Sequence, residues 1–193
     1  ALETVILGIA LSMSPFVSSA EGIFLAPFVS TFIHDGISAL FLLAANGSRG
    51  RLKEIFGICK TKTFRLLIVS SAIGGPIGMT GYVLAVNYMG SSVGAVASAI
   101  YPAIGAVLAY VFLKEKIKWY QWIFLFCTLL GVWGLSYSPD IDIKNFQVGL
   151  LGVIMCSFGW GTEGVILSKC MREKGIKCSD ALQLRQLISA SIY

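Results

Sequence analysis

Apolar residues in this chain run in long blocks separated by short polar ones. The blocks lie at about 4–25, 27–45, 64–88, 92–113, 119–137 and 147–168, and another opens near Asp180. Each is about 20 residues long, the length a helix needs to cross a ~30 Å hydrocarbon core. The pattern predicts an all-α integral membrane protein, a polytopic helical bundle holding about six spans plus the start of a seventh. The links between spans one and two, around Ala26 and Pro27, and between spans three and four, around Gly90 and Ser91, are short and uncharged. They predict two tight helical hairpins.

Composition strengthens this reading. Of 193 residues, 56% are hydrophobic and 13% charged, with a mean hydropathy of +0.80; soluble domains are about 25% charged. A soluble enzyme, a disordered chain and a secreted disulfide scaffold are all excluded. The five cysteines form no C-x-x-C pair, so they read as free thiols rather than a zinc site. Ala1 in place of Met, and an end at Tyr193 inside an apolar run, suggest a fragment trimmed at both ends.

The formal charge of +5 is not spread evenly. Arg49, Arg51, Lys53, Lys60, Lys62 and Arg65 follow span two, Lys114, Lys116 and Lys118 follow span four, and Lys169, Arg172, Lys174 and Lys177 follow span six. The opposite links hold only Lys144, with Asp140 and Asp142 beside it. Basic loops face the cytoplasm, which predicts a cytoplasmic amino terminus in a cell (inner) membrane. The excess is explained by the lipid bilayer, with no nucleic-acid partner implied. Small residues at Gly74, Gly75, Gly78 and Gly81 in span three, and every fourth position at Gly94, Ser98, Pro102 and Ala106 in span four, predict close helix contacts. Pro76 and Pro102 are positions where helices could bend around a cavity.

The chain also contains a weak internal repeat. Met13 to Leu25, MSPFVSSAEGIFL, aligns with Met155 to Leu167, MCSFGWGTEGVIL, at an offset of 142 residues; at an offset of 151, IHDGISA from Ile33 aligns with LRQLISA from Leu184. The unit contains five spans, an odd number, so a second copy sits upside down relative to the first. Inverted repeats of this kind build many secondary transporters. Residues 1–140 would form the first five-helix repeat and 141–193 the truncated start of the second, with ten spans in a whole protein.

The stretch from Tyr101 to Tyr137 resembles the fourth-to-fifth-helix signature of EamA-type members of the drug/metabolite transporter superfamily. It carries Pro102, then Leu113 with Glu115, Gln121, and Gly131 with Gly134. The preceding AVNYMGSS from Ala85 is similar to the stretch that closes helix three in that family. Where many relatives have Arg early in helix two, this chain has His34, and Arg185 holds the matching place in the second copy. The resemblance implies a secondary transporter, most often an exporter of amino acids or other metabolites.

Ionisable side chains inside a bilayer are costly and mark candidate sites. Here these are Glu21, His34, Asp35, Glu163 and Arg185. If spans one and two form a hairpin, Glu21 and His34 lie at similar depth and could relay a proton. Glu163 with Arg185 is the counterpart in the second copy, and Trp160 shares the Glu163 face. The competing readings are that the glutamates cap or snorkel at helix ends, that Asp35 pairs structurally with His34, and that Arg185 snorkels to the cytoplasm. Asn87, Tyr88 and Tyr101 are weaker candidates for lining a cavity.

These features predict a secondary active transporter of a small metabolite or drug-like solute, an exporter by the family resemblance, working by alternating access. Proton coupling is the candidate driving mechanism. Its partners would be the solute and lipid, with a homodimer as a further option. No metal or cofactor is implied, and there is no G-x-x-x-x-G-K-[ST] loop for ATP. A membrane-embedded enzyme is the alternative, but one histidine and the lack of H-E-x-x-H or G-x-S-x-G motifs offer it no chemistry. A channel would need a polar pore.

Overall fold

Helix is the only arrangement besides a closed barrel that satisfies backbone polar groups in hydrocarbon. The structure, a computed structural model, describes residues 6, 9, 10, 12–14, 20–136, 144–172 and 176–193, and among them every regular element is helical. In chain order these are α1 (Ala20–Ser48), α2 (Leu52–Ile58), α3 (Lys62–Ala72), a π-helical segment (Ile73–Met79), α4 (Thr80–Phe112), α5 (Trp119–Ser136), α6 (Phe146–Met171) and α7 (Cys178–Ile192). Three helical stretches among the described residues, Phe28–Ser48, Lys62–Phe112 and Phe146–Met171, are long and apolar enough to cross a membrane. The outer surface carries Phe41, Phe112, Phe124 and Phe158, side chains suited to lipid rather than water.

The first expected hairpin is not where the sequence places it. Helix α1 runs unbroken through Ala26 and Pro27, and the chain turns earlier, at Ser12 to Ser14. One proline removes one ladder hydrogen bond, whereas a turn at that point would leave several backbone groups without partners in lipid. The repeat alignment is affected too. Met155 to Leu167 lies wholly within α6, while Met13 sits in that turn and Glu21 in the first turn of α1.

The second hairpin is present. Gly90 has φ 86° and ψ 166°, a left-handed conformation in which a Cβ is strained, and the chain reverses there. Before the reversal, Gly78 packs on Gly159, Gly81 on Gly152 and Met89 on Gly149, so residues 78–89 run antiparallel to α6. After it, the Ala97 carbonyl accepts a hydrogen bond from Ser157 Oγ (3.3 Å), and Gly105 packs on Gly161, parallel to α6. The span-four contact face is therefore Ala97, Ile104 and Gly105. Of the expected stripe Gly94 is buried, whereas Ser98 and Ala106 are partly buried and Pro102 is exposed. Pro76, in contrast, lies inside the π segment. A proline has no N–H to continue the ladder, and a widened turn accommodates the gap.

The start of α6 is set by Asn145. Its side chain accepts hydrogen bonds from the backbone N–H groups of Gln147 (3.1 Å) and Val148 (3.2 Å), an N-cap that satisfies two otherwise unpaired donors. Asn145→Ala should lower stability by about 1 kcal/mol, measurable as a modest drop in Tm. At the other end of the bundle the three basic loops meet. Arg51 forms a two-pronged ion pair with Asp180 (2.7 and 2.9 Å), and Arg172 pairs with Glu115. Beneath them Ile55 and Ile58 of α2 pack with Leu67, Cys170, Ala181 and Leu184.

Candidate functional site

The site forms where α1, α6 and α7 meet the π segment. Glu163 lies on α6 eight residues before its end, about 12 Å along the axis, and Arg185 lies mid-way along α7. Arg185 Nε donates to Glu163 Oε1 at 2.7 Å and Nη2 to Oε2 at 3.4 Å. Nη1 donates to Asp35 Oδ1 on α1 at 3.4 Å and to Gln186 Oε1 at 2.8 Å. The fork geometry of a guanidinium lets one side chain engage two carboxylates. Asp35, 1% exposed, also accepts from Ser189 Oγ and is 3.0 Å from His34 Nδ1.

Arg185 therefore points into the bundle, not toward the surface as the snorkelling reading has it. Glu163 is likewise buried, two helical turns from the end of α6, and neither caps nor snorkels. Mid-way along α1, Asp35 is paired with both His34 and Arg185. One guanidinium thus draws three helices onto a single charged centre.

A cavity of about 430 Å³ opens beside this centre, with His34, Tyr101, Trp160, Glu163 and Arg185 in its wall. Its aromatic side is built around Trp160. The indole ring lies 5.3 Å from Tyr82, centroid to centroid, and 5.5 Å from Tyr101, which meets it edge-on. The indole Nε1 donates to the Gly74 carbonyl at 3.0 Å. Tyr193, at the end of α7, donates from its hydroxyl to the next carbonyl, that of Gly75 (3.2 Å), and shares a hydrogen bond with Thr80 Oγ1 (3.0 Å).

The sequence candidates separate into those gathered here and those elsewhere. His34, Asp35, Tyr101, Trp160, Glu163 and Arg185 are together. Glu21 shares α1 with His34 instead of facing it across a hairpin, about 20 Å away along the axis, and its side chain lies outside the described residues. Tyr88, next to Asn87, sits just before the Gly90 reversal, where its carbonyl accepts from the N–H groups of Lys144 (3.0 Å) and Asn145 (3.5 Å). Those two residues belong to the connection into α6, distant from the charged centre. Ser189, Gln186 and Tyr193 were not singled out from the sequence. On α7 Ser189 follows Arg185 by four residues and Gln186 by three, spacings of one helical turn that would have disclosed Ser189 as a polar neighbour of both.

Protein LicB of Haemophilus influenzae is 32% identical over 104 residues, which is 54% of this chain. The matched region spans 36% of LicB, about a third of that relative's length. The EamA-like transporter family matches residues 3–137, more than half of the chain and the whole of α1 to α5. The chain belongs to the EamA-like transporter family.

Proposed function

We propose that this chain forms part of a secondary active transporter that moves a small metabolite or drug-like solute by alternating access, with the centre at Asp35, Glu163 and Arg185 as its coupling site. The observation that carries the proposal is the burial of these three charges among apolar spans, beside a cavity large enough for a small solute. Intramembrane ionisable groups cost several kcal/mol and mark solute or proton pathways. Residues 1–140 form the first repeat in this reading, residues 141–193 open an inverted second one, and the basic loops face the cytoplasm.

The charges suggest which group carries a proton. With both carboxylates ionised, Asp35 and Glu163 carry two negative charges and Arg185 one positive charge. Protonating the His34 ring beside Asp35 brings the cluster to neutrality, and losing that proton leaves it at −1. His34 reaches the cavity wall while Asp35 does not, so the proton has a route to solvent through the histidine. Export is the direction implied by the family resemblance.

The test is reconstitution of the full-length protein in liposomes loaded with a pH-sensitive dye, challenged with pooled amino acids, nucleosides and drug-like solutes. Glu163→Gln should reduce solute flux at least about tenfold, the effect of losing one buried charged hydrogen-bond partner. His34→Gln should retain solute exchange but lose the accompanying proton flux. Wild-type flux in Glu163→Gln would remove the coupling site from this cluster.

A further inference from the structure

We propose that Trp160 is a positioning residue that locks the π segment beneath Glu163. For its functional meaning the inference rests on the transporter reading; its structural content stands independently. The π segment is where the α3–α4 ladder is interrupted, because Pro76 supplies no N–H. The carbonyl that Pro76 leaves without its ladder donor is that of Ala72 or Ser71, four or five residues back; further along the turn, the carbonyls of Gly74 and Gly75 take side-chain donors from α6 and the end of α7. Gly74 O has the Trp160 indole N–H, and Gly75 O has the Tyr193 hydroxyl.

The same turn carries the ionic centre. A methyl group on Gly74 would run into the Glu163 carboxylate, and one on Gly75 into Ser189, the residue that donates to Asp35. Both groups therefore rest directly on bare backbone, with no side chain between to absorb movement. A shift of the turn moves the carboxylate. The path of the indole is cleared in the same way, since a Cβ on Gly78 would lie 2.7 Å from Trp160 Cδ1 and 2.9 Å from Nε1. The ring crosses Gly78 to reach Gly74.

Trp160 and Glu163 are three residues apart on α6, on one face of the helix. They grip the same glycine, one through its carbonyl and the other against its Cα. The Trp160 ring, packed on Tyr82, also forms the cavity wall together with Tyr101. The contents of the cavity and the position of Glu163 are thus linked through one side chain. Interfacial tryptophans place their N–H among lipid headgroups, whereas this N–H is spent inside the bundle.

Hydrogen exchange of the full-length protein in lipid nanodiscs tests the lock without needing a solute. Two replacements are compared with wild type: Trp160→Phe, and β-(3-benzothienyl)alanine at position 160, which keeps the bicyclic shape and lacks the N–H. Each should accelerate exchange at residues 73–79 by about fivefold, the factor expected from one net hydrogen bond, while residues 62–72 and 146–159 stay within about twofold. Gly78→Ala, which displaces the ring from the other side, should reproduce the pattern if the position-160 variants fold poorly. Unchanged exchange at 73–79 would overturn the proposal, as would equal acceleration along all three segments, since Trp160 would then act by packing alone. A failed flux experiment with localised exchange would discard the transporter reading and keep the lock. Normal flux with unlocalised exchange would do the reverse.

Discussion

Arg185→Gln is expected to abolish solute flux and to destabilise the protein by about 3–5 kcal/mol, the usual result of removing one partner from a buried charge cluster. The guanidinium is the common donor to Glu163 and Asp35, and glutamine cannot neutralise either. Two buried carboxylates would be left without the cation they share. Arg185→Lys should retain the charge but lose the fork, so one of the two contacts survives and the effect is intermediate. The double variant Arg185→Gln with Glu163→Gln should recover part of the lost stability, because it removes one of the stranded charges. Thermal unfolding of the three variants in one detergent measures the effect, and a wild-type Tm in Arg185→Gln would show that the cluster contributes little to folding.

The second large effect concerns packing. A methyl on Gly152 would sit 2.7 Å from the Ala85 nitrogen and 3.0 Å from Leu84 Cβ, and one on Gly81 would sit 2.7 Å from the Gly152 carbonyl oxygen and the Cys156 nitrogen. The obstacles are mostly backbone, so relief requires α4 and α6 to separate. In lipid there is no hydrophobic effect to hold helices together, and close packing is the principal attraction. Gly152→Val should therefore cost about 3 kcal/mol, the upper range for overpacking, and should also weaken the Glu163 site further along the same helix. Gly164→Val is the control. Nothing lies within 4 Å of a Cβ there, so Tm should change little, as at most surface positions.

Much of the protein was legible before its structure. The apolar blocks predicted helices at α3 to α7 within a few residues, the short link at Gly90 predicted a reversal, and Glu163, Arg185, His34 and Asp35 stood out because charge is so scarce in these segments. The Gly74, Gly75, Gly78 and Gly81 cluster was read as a close-contact surface, and it is one. The start of α1 was misplaced, because a proline in an apolar stretch reads as a turn when only local preference is considered. The requirement to pair backbone groups in hydrocarbon overrides that preference.

What remained was beyond any periodicity. Span length, helix type and the scarcity of charge are one-dimensional properties, set by the cost of polar groups in hydrocarbon, and the sequence by itself determined them. Partner choice is not one-dimensional. That Arg185 takes both Glu163 and Asp35, and that Trp160 reaches across Gly78 to Gly74, depends on the relative rotation of α1, α6, α7 and the π segment. Those rotations are decided by which glycines allow two backbones to touch, and contacts between residues 22 and 150 positions apart exist only once the helices have packed.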